Sequence, residues 1–244
     1  LLTSRRLSVP HGFSTRAGGV SVGPFASLNA GAGVGDDPLA VAENLARLVR
    51  AAGGPIATAK QVHGAEVVRT SGPGIEAMAD ALWTDEPGGS VGVRTADCVP
   101  ILIEDPGGRR VAAVHAGWRG VAARVVERAV AALVKEGARA SELKVALGPC
   151  IQRCCFEVSG DLPERFAAAF GPEVVVASAP GSRHLDLPLA LVRSLAEAGV
   201  LASQIDVLGH CTSCDPRFFS HRRDRGVTGR HLSFITCPAR AAGL

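Results

Sequence analysis

The stretch Val93–Gly120, VRTADCVPILIEDPGGRRVAAVHAGWRG, decides how this chain is read. Val99–Ile103 and Val111–Val114 are short apolar runs rich in β-branched residues, and Asp105-Pro106-Gly107-Gly108 between them has the composition of a turn. The pattern predicts an antiparallel hairpin closed by a four-residue loop, Asp105 to Gly108, with Glu104 facing Arg109. Counting outward from that pair sets Cys98 opposite His115. Opposed residues share a face of the sheet, and a slip of one residue would send the thiol and the imidazole to opposite faces. In this register two side chains able to bind a metal sit one strand spacing apart.

Outward from the hairpin, GDDPLAVAENLARLVRAAGG carries Asp36 or Asp37 as a helix N-cap, Pro38 at the first helical position and Gly53 past the last turn. KQVHGAEVVRT is expected to be a strand containing His63, and GSVGVRTADC a strand leading to Cys98. Gly120 to Lys135 has apolar residues at helical spacing and predicts one amphipathic helix. LPERFAAAF and LPLALVRSLAEAG predict two more, the second closed by Gly199, while LKVALG, IDVLGH and HLSFIT predict strands. Hairpins beside helices indicate an α+β (mixed α/β) fold rather than a doubly wound nucleotide-binding fold. Neither RAGGVSVGP nor GAGVGDDP has the strand, spacing and downstream acid of a dinucleotide fingerprint, and no phosphate-loop motif is present.

The 244 residues show no linker-like stretch, charge run or repeat, so one domain over residues 1–244 is expected. The net charge of +3 is too mild, and the arginines too dispersed, to indicate nucleic acid; an anionic small molecule fits better. No run approaches the ~18 apolar residues of a membrane span. The opening LLTSRRLSVPHGFS lacks a signal peptide's apolar core, and its first residue, Leu1, suggests that the native start lies upstream. Seven cysteines, an odd number in a chain too long to need stapling, point to reduced thiols in a cytoplasmic protein. A monomer is expected.

Three motifs share a design: QVHG (Gln61–Gly64), TADC (Thr95–Cys98) and VHAGWRG (Val114–Gly120) each set a potential ligand beside small residues. Zinc accepts thiolate at ~2.3 Å and imidazole at ~2.1 Å, and a site with three protein ligands keeps a fourth position for water or substrate. His63, Cys98 and His115 would form such a site; without a metal, His115 could instead activate Cys98 as a covalent nucleophile. The plain alternative is a buried thiol and two satisfied core histidines. Asp97 beside Cys98, Arg119 beside Trp118 and glycines at 64, 117 and 120 favour a polar cleft with close backbone approach. Arg16, Asn29 and Arg119 have polar heads in Gly-rich segments. Arg119 precedes a predicted helix whose first amides would add to a phosphate site. His210, Cys211 and Cys214 in HCTSC suggest half of a structural zinc site with no evident completing pair, and CIQRCC is expected to hold buried thiols.

HGFSTRAGGVSVGPFASLNAGAGVGDDPLAVAENLARL, QVHGAEV, ADALWTDEPGGSVGVRTADCVPILIEDP, VAAVHAGWRG, GPCIQRCCFEV, LDLPLALVRSL and CTSCDPRFFSHRRDRGVTGR together resemble the laccase-domain, or multicopper polyphenol oxidase, family, now read as purine nucleoside phosphorylases. The resemblance runs almost end to end. It implies α/β/β/α layers and a zinc ion held by His63, Cys98 and His115. It also implies phosphorolysis of adenosine, inosine, guanosine and methylthioadenosine, with an adenosine deaminase side activity. Seven scattered histidines support the copper-oxidase name poorly. Substrate contacts are expected from Arg16, Asn29, Asp97 and Arg119. The chain departs from the family pattern at Trp83, His221 and Cys214, none of them a proposed ligand. Two other readings stay open: a Cys98/His115 amide hydrolase that edits peptidoglycan precursors, and a zinc or redox partner protein without turnover.

Overall fold

The computed structural model describes residues 1–73, 77–179 and 181–239. Its first half contains β1 (His11–Phe13), α1 (Pro38–Ala52), β2 (Ile56–Ala57), β3 (Val67–Arg69), β4 (Ala81–Thr84), β5 (Ser90–Thr95), β6 (Val99–Glu104) and β7 (Val111–Ala116). There follow α2 (Trp118–Ala122), α3 (Val125–Lys135), β8 (Lys144–Leu147), β9 (Glu157–Val158) and α4 (Leu162–Phe170). The last elements are β10 (Val175–Ala179), β11 (Ser182–Leu185), α5 (Leu187–Glu197), β12 (Ile205–Val207) and β13 (His231–Thr236). Among the described residues no helix is long and apolar enough to cross a membrane.

Strands β12-β8-β6-β7-β4-β3 form a six-stranded mixed sheet, and β1-β13-β5-β2 a four-stranded one. Strand alternation dictates how they stack. Val99, Ile101 and Ile103 of β6, with Ala112 and Val114 of β7, pack into a core containing Val126, Val130 and Leu133 of α3 and Leu191 and Leu195 of α5. Leu102, Val111 and Ala113 point the other way, into a core shared with Val91, Val93 and Ile235 of the four-stranded sheet. Leu48 of α1 meets Leu232 on that sheet's far side. The layers are therefore helix, four strands, six strands, helices: the mixed α+β, α/β/β/α arrangement expected. A small sheet, β10-β11-β9, accompanies them.

Helix α1 starts and stops where its caps direct. Asp37 accepts the Leu39 amide at its N-terminus, and Gly53 takes a left-handed conformation at φ 80 after its last turn.

Three local expectations are corrected. In the hairpin, Glu104 pairs with Val111 rather than Arg109, and Pro100, not Cys98, lies opposite His115. The reversal falls one residue later than expected: Asp105, expected in the loop, pairs with Arg110, its amide donating to the Arg110 carbonyl at 3.0 Å and its carboxylate accepting from the Arg110 guanidinium at 2.6 Å. A shift of two keeps every side chain on its face, because the strand period is two. Cys98 accordingly lies just ahead of β6 and on the same side as His115.

The single helix from Gly120 to Lys135 is two helices, α2 and α3, broken at Arg124, whose φ of 62 cannot continue a right-handed ladder. The apolar spacing runs through the break because Val121, Val125, Val126 and Ala129 all bury against the same sheet. Arg124 is held there by Glu127 at 2.9 Å, by Glu197 at 2.7 Å and by the ring of Phe170. Finally, His63 is not on a strand. It lies in the turn before β3 with φ 60.

Candidate functional site

The site forms where the β6 and β7 ends meet the start of β4. Asp80 immediately precedes β4, and its carbonyl accepts the His115 amide at 2.7 Å, which aligns the two residues across the strands. The His115 Nδ1–H then donates to Asp80 Oδ1 at 2.7 Å with both side chains buried. The same carboxylate accepts the backbone amides of Val62 at 3.2 Å, His63 at 2.9 Å and Gly64 at 2.7 Å. One buried acid thus orients one imidazole directly and the other through the loop that carries it. Gln61 docks that loop on β5: its side-chain amide donates to the Arg94 carbonyl at 2.7 Å and accepts the Arg94 amide at 2.8 Å.

The bare positions of the VHAGWRG motif have a steric cause. A Cβ on Gly117 would stand 3.0 Å from Cys98 Sγ and 3.1 Å from the His63 ring, and one on Gly120 would stand 3.1 Å from the Gly64 carbonyl. Glycine lets the three motifs close on one point. His63, Cys98 and His115 each present a ligand atom, and these atoms all lie within 4.8 Å of one another. The histidine rings sit edge to face with centroids 4.9 Å apart. With Nδ1 of His115 turned to Asp80, its Nε2 faces the cluster, the carboxylate–histidine arrangement that supports metal ligands. Two imidazoles, one thiol and an outer carboxylate suit zinc, while the single pair of clustered histidines is too few for several coppers.

Electrostatics point the same way. Burial pushes the Cys98 thiol up, but hydrogen bonds and charge from His115 and His63 overcome it and bring the pKa down to about 6. Burial pushes His115 down, but Asp80 and the Cys98 thiolate raise it to about 9. In the metal-free chain, stability from the depressed thiol is therefore lost as pH falls through about 6, and stability from the raised imidazole is lost as pH rises through about 9. We expect thiolate ultraviolet absorbance of the metal-stripped chain to rise with a midpoint near pH 6, to vanish in Cys98→Ser and to move to higher pH in His115→Ala. A midpoint unchanged by His115→Ala would refute the pairing.

The cluster opens into a cavity of about 550 Å³, within the usual range for small-molecule sites. Its apolar wall includes Trp118, Ile151, Phe156 and Leu187, and its cations are Lys60, Arg94, Arg222 and Arg230. Arg94 donates from Nε to the Ala30 carbonyl and from Nη1 to the Thr58 hydroxyl, and Arg230 donates to the carbonyls of Thr228 and Gly229. Among the described residues neither is ion-paired with a carboxylate, and burial lowers the pKa of both. Each is half-buried, and for Arg230 the nearby Cys98 and Asp97 oppose the effect of burial through space.

The remaining expected contacts divide. Asp97, at φ 89, lines the cavity and accepts the Thr212 hydroxyl and the Arg222 amide, both at 2.6 Å. Asn29 is fully buried and does not line the cavity; its side-chain oxygen accepts the amides of Gly31 and Arg230, both at 2.8 Å, and so fixes two lining segments. Arg16 and Arg119 also lie off the cavity wall. Arg16 donates to the Ala26 carbonyl and stacks on Phe219, and Arg119 is exposed and stacks on Trp118. Helix α2 begins at Trp118, so Arg119 lies inside it rather than ahead of it. Sequence reasoning missed Asp80, Gln61 and the four cavity cations. Asp80 did leave a signal, an acid between two alanines at the head of the apolar strand Ala81–Trp83.

A family model described as multi-copper polyphenol oxidoreductase laccase matches residues 10–238. A purine nucleoside phosphorylase of Deinococcus radiodurans is 43% identical over 243 residues, covering 98% of this chain and 94% of that protein. The purine nucleoside phosphorylase YfiH of Escherichia coli is 41% identical over 229 residues, covering 91% of each. The crystal structure of YlmD from Geobacillus stearothermophilus superposes with a TM-score of 0.85 at 38% identity, over 93% of this chain and 91% of that one.

Proposed function

The chain belongs to the multi-copper polyphenol oxidoreductase laccase family, and on that premise we propose that it is a zinc-dependent purine nucleoside phosphorylase. Its substrates would be adenosine, inosine, guanosine or methylthioadenosine, split by phosphate into base and ribose 1-phosphate, with adenosine deamination as a side activity. Residues 1–244 would act as one domain, in a cytoplasmic monomer. The observation that carries the reading is a three-ligand cluster opening onto a cavity with aromatic walls and with Arg94 and Arg230, which form no ion pair with a carboxylate among the described residues. The names of relatives at 43% and 41% identity agree with it.

His63, Cys98 and His115 would hold the zinc ion. When bound it would supply Lewis-acid polarisation of a reacting oxygen. Phosphorolysis forms a bond from a phosphate oxygen to the ribose anomeric carbon and breaks the bond to the purine, whose nitrogen leaves with the electron pair. Arg94 and Arg230 would bind and orient the phosphate, since guanidinium groups match its oxygens in pairs. Trp118 and Phe156 would hold the purine by stacking. Asp80, through His115 and the His63 loop, would keep the ligands in register.

The test incubates the chain with adenosine or inosine across a phosphate titration and follows base, ribose 1-phosphate and inosine. Base release should require phosphate. Arg94→Ala and Arg230→Ala should each raise the KM for phosphate by roughly 10–100-fold, the scale of a lost charge-assisted pair. Conversion of adenosine to inosine should fall less, because it uses water. Arg119→Ala should change phosphate use little. Phosphate-independent base release, or equal loss of both reactions in the Arg94 and Arg230 variants, would remove the phosphate assignment.

A further inference from the structure

Away from the cavity lining, the described residues contain a second group able to bind a metal: Cys154, Cys155, Cys211 and Cys214, whose sulfurs all lie within 4.8 Å of one another. The expectation that CIQRCC holds buried thiols is corrected: Cys150 is buried, while Cys154 is exposed and Cys155 half-buried. The pair that completes HCTSC comes from this distant segment. Backbone pairing brings them together: the Cys150 amide donates to the His210 carbonyl at 3.2 Å, and the Thr212 amide to the Cys150 carbonyl at 3.0 Å.

The geometry is that of a closed set. Four thiolates around zinc at ~2.3 Å stand roughly 3.8 Å apart along the edges of a tetrahedron. Cys214 Sγ lies 3.6 Å from Cys154 Sγ and 3.2 Å from Cys155 Sγ. A disulfide would join sulfurs two by two at ~2.05 Å, whereas Cys214 is shared between both members of the vicinal pair. Cys211 and Cys214 have the C-x-x-C spacing of a zinc turn.

We propose that Cys154, Cys155, Cys211 and Cys214 bind a structural zinc ion as a tetrathiolate site, separate from the His63, Cys98 and His115 cluster. With four protein ligands the site has no open position for a substrate, so its role is to join two segments. Binding displaces the proton of each thiol that becomes a ligand. Both joined segments build the cavity wall: Ile151 and Phe156 lie on one, His221 and Arg222 just beyond the other. Arg222 already donates across them to the carbonyls of Cys155 at 3.2 Å and Glu157 at 3.0 Å. The ion would fix the face against which the proposed purine stacks.

The experiment combines His63→Ala, Cys98→Ala and His115→Ala in the 244-residue chain, which removes the first cluster. That chain should keep about one zinc ion by elemental analysis and take up Co²⁺ with the thiolate-to-cobalt charge-transfer absorption of a tetrahedral sulfur site. Adding Cys211→Ser and Cys214→Ser should abolish both signals. Should the combined background fail to fold, Cys211→Ser with Cys214→Ser in the otherwise unaltered chain should lower zinc content by about one ion per chain. Unchanged metal content after the cysteine substitutions would overturn the proposal. So would intact-mass evidence that the four cysteines are paired as disulfides in a metal-free cluster.

Discussion

Cys98→Ala is expected to lose bound zinc at the cavity and to reduce base release by more than about 100-fold, since loss of an outer-shell partner alone costs roughly 10–100-fold. The thiol is the one sulfur in a cluster whose ligand atoms lie within 4.8 Å of one another, and no neighbouring group in the cluster can replace it. His63→Ala and His115→Ala should behave alike, because three ligands are the minimum that a catalytic zinc site retains. Circular dichroism and thermal unfolding must accompany the assay, so that a collapsed chain is not scored as a dead site. Elemental analysis then separates two chemistries. Zinc lost with activity supports the metal reading. Full zinc retention with no activity would transfer the role to Cys98 as a covalent nucleophile activated by His115, which its thiol pKa of about 6 would permit. Unimpaired turnover would remove both.

What the sequence disclosed follows from which signals are local. The Cys98 and His115 alignment survived a two-residue error in register because strand faces repeat every two residues, and only an odd slip would have separated them. The α1 caps were legible because Asp37, Pro38 and Gly53 act within one turn of themselves. His63 does fall in one cluster with Cys98 and His115, but it was assigned to a strand, since its left-handed turn is held by Asp80, 17 residues away. The cations were the least legible part. Arg16 and Arg119 stand in promising Gly-rich segments, yet their heads rest on Phe219 and Trp118. Arg94 and Arg230 lie inside or beside ordinary strands and reach the cavity only through sheet packing. The cysteine cluster was hidden for the same reason: its halves are 59 and 60 residues apart at Cys155–Cys214 and Cys154–Cys214 and are brought together by a backbone bridge at Cys150 and Cys211.

Asp80→Asn tests whether that outer carboxylate organises the site. Four donors converge on its two oxygens: the amides of Val62, His63 and Gly64, and the His115 Nδ1–H. Asparagine keeps the shape but offers one acceptor oxygen, and its amide N–H groups would face donors. The variant is expected to bind zinc and turn over substrate roughly 10–100-fold less well. It should also be less stable by about 1–3 kcal/mol at neutral pH, the cost of leaving buried donors unmet. The pH dependence has a definite sign. Burial pushes the Asp80 carboxyl up, but the bonds from His115 and Gly64 outweigh it and hold the pKa below its ordinary 3.8. A depressed carboxylate contributes stability above its unfolded value and loses it as pH falls through the folded one. The stability gap between native chain and variant, measured by urea unfolding of the metal-free proteins, should therefore narrow below about pH 4 as Asp80 is protonated, and narrow again between about pH 6.5 and about 9 as the His115 imidazolium that Asp80 favours loses its proton. A gap unchanged both on acidification below about pH 4 and on raising the pH to about 9, or a variant with native zinc affinity, would mean that His63 and His115 are held by the loop and sheet without this carboxylate.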